Sequence, residues 1–254
     1  MIPKTINYCW FGGKPLPPLA LKCIESWKKY LPDYEIKQWD ETNFDVNIVP
    51  YTSEAYIAGK YPFVSDYARF YIMYNYGGLY FDTDVELVKP IDDIVERGAF
   101  MGCETRASVE LDFGLQVNPG LGIGAEPGMQ IFREILDYYG NLHFIRQDGE
   151  YNFDTVVVYT SKILNDKGLE KKNELQLCAG IWIYPKEYFC PKDNATKKLR
   201  ITDNTRSIHH YLGSWITPQQ RFYKKMEKLI GFKAAHKVSV LLKKSSFLKS
   251  LIGK

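Results

Sequence analysis

The chain has 254 residues, of which 45% are apolar and 25% charged, with a formal net charge of +3 at pH 7. These proportions are ordinary for a globular protein, so disorder of the whole chain is excluded, and the length fits one large α/β domain with elaborations or one domain followed by a tail. The five cysteines (Cys9, Cys23, Cys103, Cys178, Cys190) are odd in number and form no C-x-x-C pair, which argues against a disulfide or metal framework and for reduced core thiols.

Met1 to Gly13 has neither a basic leader nor a long apolar run, and no stretch approaches the length of a transmembrane helix. The expectation is therefore a cytoplasmic protein. Thr5 to Phe11 reads as the first strand, running into a Gly12-Gly13 turn. Trp10 or Phe11 then stands at the strand's carboxyl end, where ligands gather in open α/β sheets; the competing reading is a core aromatic. Pro15, Pro17 and Pro18 lead into a helix from about Leu19 to Tyr30. Tyr34 to Trp39 alternates as a second strand, Asp40 to Tyr51 is a loop, and a short helix lies near Ser53 to Gly59.

Phe63 to Glu86, F-V-S-D-Y-A-R-F-Y-I-M-Y-N-Y-G-G-L-Y-F-D-T-D-V-E, is the most informative stretch. Its first part has helical apolar spacing, Gly77 and Gly78 stop the helix, and Leu79 to Phe81 read as a short buried strand. Asp82 and Asp84 follow, one residue apart. Side chains two apart in an extended segment face the same way, so both carboxylates can meet one hard cation such as Mg²⁺ or Mn²⁺. A D-x-D alone is also compatible with a solvated acidic turn. On the helix, Asp66 and Arg69 are three apart and share a face, as a surface ion pair or as two groups reaching one ligand.

Val85 to Val88 extends the strand beyond the acidic pair, Ile91 to Glu96 reads as a short helix, and Phe100 to Glu104 as a strand. Thr105 to Glu126 is Gly-rich and loop-like, and its glycines permit close backbone approach to a ligand. Gly128 to Tyr139 is an amphipathic helix, and Asp154 to Leu164 is another with Asp154 as N-cap. Glu174 to Cys178 and Ile181 to Tyr184 read as strands, and Lys192 to Asn204 as a solvated loop. The next stretch is I-H-H-Y-L-G-S-W, Ile208 to Trp215. Neighbouring histidines in an extended segment point in opposite directions, so only one of His209 and His210 faces any given ligand.

The order S-D-x-x-R, helix, Gly-Gly, strand, D-x-D resembles the DXD-motif sugar transferases of glycosyltransferase family 32, whose catalytic core is shared with the large clostridial glucosylating toxins. The opening I-P-K-T-I-N-Y-C-W-F-G-G is similar to the family's start, with Asn7 where many members have His, and H-H-x-x-G-S-W supplies a second anchor. The resemblance implies a GT-A type, Rossmann-like α/β fold with a mostly parallel central sheet. It implies a retaining, metal-dependent transfer of a hexose, glucose or galactose, from a UDP-sugar to a glycan acceptor in bacterial surface-polysaccharide synthesis. Asp82, Asp84 and one of His209 and His210 would hold Mn²⁺ or Mg²⁺. Trp10, Phe11, Gly78, Ser214 and Trp215 would contact the donor, and Asp66 and Arg69 its sugar hydroxyls.

Residues 1–223 form the expected transferase domain, and Lys224 to Lys254 a basic amphipathic tail with nine lysines against one glutamate. Basic residues beside an apolar stripe describe a helix lying on an anionic membrane, which would suit a lipid-linked acceptor and a position on the inner face of the cell membrane. A terminal helix packed on protein is the competing reading, and nucleic acid is not an expected partner. A non-catalytic sugar-nucleotide-binding protein or a Mg-dependent nucleotidyltransferase are the alternative functions.

Overall fold

The computed structural model describes residues 1–104, 115–172, 174–193 and 196–213. The core begins with the helix that the sequence placed before the acidic pair, numbered α3 in chain order (Tyr61–Asn75). It is buried nearly all round, through Val64, Ala68, Phe70, Ile72 and Met73 as well as through Asp66 and Arg69. Gly77 and Gly78 end it with φ of +65° and +94°. A Cβ at Gly77 would lie 2.8 Å from the Ala125 carbonyl oxygen, and one at Gly78 would lie 2.5 Å from that of Thr5. Only glycine lets the chain turn so close to two neighbouring strands.

Beyond that turn runs β3 (Gly78–Tyr80), at the middle of the sheet. It is flanked by β1 (Thr5–Cys9), then β2 (Glu35–Trp39), on one side and by β6 (Gln116–Ala125) on the other. The sheet continues through β5 (Phe100–Glu104), β8 (Ile181–Tyr184) and β7 (Gln176–Cys178), giving the order β2-β1-β3-β6-β5-β8-β7. Five of these seven strands point one way, and β6 and β7 run against them, so the fold is the expected mixed α/β architecture with a mostly parallel central sheet. Asn7 sits in its middle, 1% exposed; its amide donates to the carbonyls of Gly77 and Leu79 and accepts the Trp39 indole N–H at 2.9 Å. An asparagine here therefore joins two strands to the α3 turn.

Helices cover both faces. α1 (Pro18–Tyr30) buries Ala20, Cys23, Ile24 and Trp27, the i, i+3, i+4, i+7 stripe of an amphipathic helix. α2 (Pro50–Ile57) starts three residues before the expected Ser53, with Pro50 in its first turn. α4 (Asp92–Arg97), α5 (Gln130–Gly140), α6 (Val156–Asp166) and the four-residue α7 (Lys186–Phe189) follow. All five cysteines are buried and unbridged, and none of the described helices is long and apolar enough to cross a membrane.

Three expectations are corrected. Val85 to Val88 does not extend the main sheet: β4 (Val85–Leu87) pairs antiparallel with β9 (Ser207–His209) in a separate two-stranded ribbon. The second half of the Gly-rich segment is no loop but β6, ten residues buried throughout. Its glycines make room for neighbouring rings, since a Cβ at Gly124 would lie 2.1 Å from the Phe100 ring of β5 and one at Gly122 2.9 Å from that of Phe81, just past β3. Nor does Asp154 cap α6. The first helical amide, Val156 N–H, instead donates to the Asp66 carboxylate of α3 at 3.3 Å. Residues 105–114 and the tail from Lys224 lie outside the described residues.

Candidate active site

α3 runs antiparallel to β3, so its first half lies beside the end of β3 from which Asp82 emerges. The loop from Asp82 to Asp84 joins β3 to β4, and the β4 ribbon brings His209 opposite Val85. Ligand atoms of Asp82, Asp84 and His209 all lie within 4.8 Å of one another. Two carboxylates and an imidazole form a hard-to-borderline donor set that fits Mn²⁺ or Mg²⁺, with Asp82 the most open of the three at 30% side-chain exposure. His210 points the other way. Its Nε2 lies 2.7 Å from Glu86, which also binds Lys22, so the structure gives His210 to a surface carboxylate and not to the cluster.

Asp84 does more than face this cluster. One carboxylate oxygen lies 3.1 Å from His209 Nε2, the other accepts the Leu212 N–H at 2.6 Å, and its carbonyl accepts the His210 N–H at 2.9 Å. The 209–212 segment is thus strapped to the D-x-D. Tyr211 takes a left-handed φ of +55° there, its ring 4.2 Å from that of His209. Burial alone would raise the Asp84 carboxyl, yet the charge and hydrogen bond of His209 and the Leu212 amide hold it down to about 2. Burial likewise works against a charged His209, and the Asp84 carboxylate outweighs it, raising the imidazole above its ordinary 6.5.

These opposite shifts fix the pH window of the pair. A lowered carboxyl adds stability that is complete above its ordinary 3.8 and lost as pH falls through about 2. A raised imidazole adds stability that is complete below 6.5 and lost as pH rises through its folded value. Without metal the pair therefore contributes most between about pH 4 and 6.5. In chelator, the urea midpoint is expected to fall from pH 6 to pH 8, and His209→Asn to flatten that decline. An unchanged wild-type midpoint over this range would show that no such pair forms.

A second chain of charges leads inward from Asp82. Its Oδ1 accepts from the Tyr80 hydroxyl at 3.2 Å and faces Arg69 Nη2 at 3.3 Å; the same nitrogen lies 3.0 Å from Asp66 Oδ1. Arg69 is 3% exposed, and its Nε donates to the Ser65 carbonyl. The exposed i,i+3 ion pair considered from the sequence is thus a buried triad. Arg69 Nη1 and His209 Nδ1 have no partner among the described residues. Burial raises the Asp66 carboxyl to about 6 against the pull of Arg69.

Trp10 stands half-buried at the carboxyl end of β1, its indole N–H donating to the Lys14 carbonyl. Phe11 is not beside it as a ligand platform; it is 6% exposed and packs edge-on against Phe44, which makes it a core residue. Gly78 is also corrected: it lies at the opposite end of β3 from the acidic pair, and its bare Cα serves the turn after α3. Ser214 and Trp215 lie outside the described residues.

Sequence reading missed the support that β6 gives Asp82. The Gly120 carbonyl accepts the Asp82 N–H at 3.1 Å, and a Cβ at Gly120 would lie 2.1 Å from Asp82 Oδ2. Asn118 holds the Gly120 N–H with its side-chain oxygen and donates to buried Glu104 at 2.7 Å. The N-P-G-x-G run carried the signal, but only the strand pairing shows that one of its glycines makes room for a carboxylate.

The family model described as "Glycosyltransferase sugar-binding region containing DXD motif" matches residues 17–101, about a third of the chain. Among curated proteins, the chain is 27% identical over 111 residues to inositol phosphoceramide mannosyltransferase 1 of Schizosaccharomyces pombe, covering 39% of this chain and 33% of that protein. It is 28% identical over 127 residues to the initiation-specific alpha-1,6-mannosyltransferase of Candida albicans, covering 46% and 33%. The chain thus spans about a third of the length of these relatives. Among solved structures, the PaToxG glycosyltransferase aligns with a TM-score of 0.48 at 19% identity, over 66% of this chain and 70% of that one.

Proposed function

We propose that the chain is a glycosyltransferase of the GT-A type, akin to family 32, that moves a hexose from a UDP-sugar to a glycan acceptor with retention of configuration. The observation that carries this reading is the cluster of Asp82 and Asp84, inside the stretch that matches a sugar-binding DXD region, with His209 brought to them by the β4–β9 ribbon, extended inward by Arg69 and Asp66. Asp82, Asp84 and His209 would hold Mn²⁺ or Mg²⁺. When bound, the cation neutralises charge that builds on the departing diphosphate, where electrostatic stabilisation counts most. Arg69 orients Asp82, and its unpartnered Nη1 is a buried donor suited to a hydroxyl oxygen of the donor sugar. Asp66 fixes Arg69 from the other side.

In the same reading, the lysine-rich tail from Lys224 rests on an anionic membrane and the acceptor is lipid-linked, in bacterial surface-polysaccharide synthesis. The curated relatives are named for mannosyl transfer. Mannose therefore competes with glucose and galactose as the hexose.

One screen tests these statements together: hydrolysis of UDP-, GDP- and dTDP-sugars with Mn²⁺ or chelator, using the full-length chain and a truncation after Tyr223, with and without anionic vesicles. The expected result is metal-dependent hydrolysis of a UDP-hexose by both forms and salt-sensitive vesicle binding by the full-length chain alone. No hydrolysis of any donor would overturn the reading, and preference for a GDP-sugar would replace the donor.

A further inference from the structure

Between α5 and α6, residues 143–155 carry a cluster of aromatic side chains to the surface. Fully buried Phe144 stacks on Tyr151 at 5.3 Å, and Phe153 stands edge-on to Tyr151 at 5.9 Å and 5.9 Å from Phe63 of α3. The ladder ends in solvent, with Tyr151 36%, Phe153 44% and the neighbouring Ile145 39% exposed. Exposed rings in a connected patch mark a binding surface more often than scattered apolar residues do.

The patch is held rigidly. Ile145 bridges Tyr151 across a tight turn, and Glu54 of α2 accepts the Ile145 N–H at 2.9 Å and contacts His143 at 2.7 Å. Asn152 donates to the Tyr159 hydroxyl and accepts the Asp154 N–H, while its own N–H goes to the Phe144 carbonyl. Two residues beyond Asp154, Val156 donates its N–H to Asp66. The aromatic surface is therefore continuous with the buried triad of the candidate active site, through both Phe63 on α3 and the start of α6. Ordering in advance of binding lowers the entropy a ligand must surrender.

We propose that Tyr151 and Phe153 form the acceptor subsite and take the uncharged terminal pyranose of a glycan; this rests on the sugar-transfer reading above. A pyranose presents an apolar C–H face that suits an aromatic ring and a rim of hydroxyls that needs polar partners. Arg146 and Asp154, 3.7 Å apart and each about half exposed, stand beside the rings as such partners. Two rings match one sugar, whereas a stable protein partner needs about 800 Å² on each side. Lys60 Nζ lies 5.9 Å from the centre of the Tyr151 ring, and residues 143–155 themselves carry Asp148, Glu150 and Asp154 against Arg146, an acidic balance that disfavours an anionic lipid or a phosphorylated sugar end.

The test uses the full-length protein with saturation-transfer NMR on the methyl glycosides of glucose, galactose and mannose, alongside calorimetry of UDP with Mn²⁺. Saturation transfer to the pyranose C–H protons is expected in the wild type, a drop of at least about fivefold in the Tyr151→Ala/Phe153→Ala double variant, and near-full retention in Tyr151→Phe. UDP binding is expected to be the same in all three, and circular dichroism checks the fold. No transfer from the wild type to any glycoside, or equal transfer in the double variant, would overturn the subsite. Failure of UDP to bind while the glycoside signal still tracks Tyr151 and Phe153 would instead remove the donor reading and leave the subsite standing.

Discussion

Asp84→Ala is expected to lower donor hydrolysis and sugar transfer by a factor of at least about 10²–10³, the scale set by losing one electrostatic contact to transition-state charge. The carboxylate is one of three groups that would hold the cation, and its loss leaves Asp82 and His209 as a two-ligand site. The structure adds a cost that the sequence did not disclose. Asp84 is 8% exposed and binds both His209 and the Leu212 amide, so removing it also releases the 209–212 strap and leaves a buried imidazole unpaired. A stability loss of about 1.5–3 kcal/mol accompanies it, the usual worth of a hydrogen bond to a charged group. Asp84→Asn separates the two effects. It retains an acceptor for the Leu212 N–H but lacks the charge that pairs with His209 and that a cation needs, so urea denaturation is expected to show the Leu212 share of the stability restored while Mn²⁺ binding and turnover stay lost. Near-normal turnover of Asp84→Ala with unchanged Mn²⁺ dependence would remove this aspartate from the metal site.

Local sequence rules read the parts of this site that lie close together in the chain. Helix, glycine stop, strand and acidic pair were legible from Phe63 to Asp84 because periodicity, backbone freedom and the two-residue alternation of extended chain each act within a few residues. The same alternation foretold that His209 and His210 would part. What stayed hidden depends on pairing between distant segments. The burial of Asp66 and Arg69 comes from β3 and the Asp82 loop after it, and from the start of α6, ninety residues on, so helical spacing alone left a surface ion pair equally acceptable. The glycines of β6 looked like loop residues because their reason, the Phe100 ring on β5 and the Phe81 ring and Asp82 carboxylate just past β3, lies on other segments. Phe11 could not be told from Trp10, since the choice between core and surface is made by Phe44 in the loop after β2.

Arg69→Met is expected to be the most damaging single change in the described fold. The substitution keeps most of the side-chain volume and removes the only charge that offsets Asp66 and Asp82 from within α3. Breaking a buried ion pair by deleting one partner costs about 3–5 kcal/mol, because the other partner stays buried without compensation. The Asp66 carboxyl, already raised to about 6 by burial with Arg69 in place, rises further when the guanidinium is gone and becomes neutral at physiological pH. The amide of Val156 then donates to a protonated acid, and the start of α6 loosens with it. Arg69→Lys would keep a positive charge, but one ammonium cannot reproduce a fork that spans Asp66, Asp82 and the Ser65 carbonyl while leaving Nη1 free for a ligand. It is expected to recover part of the stability and little of the turnover. The decisive comparison is Arg69→Met with Asp66→Asn, in which the uncompensated carboxylate is removed as well. If the triad serves mainly to present Arg69 and Asp82 to a sugar, denaturant midpoints of this double variant recover toward wild type while donor hydrolysis stays abolished. Recovery of both together would mean that the triad only holds the fold, and an Arg69→Met protein as stable and active as the wild type would dismiss the triad altogether.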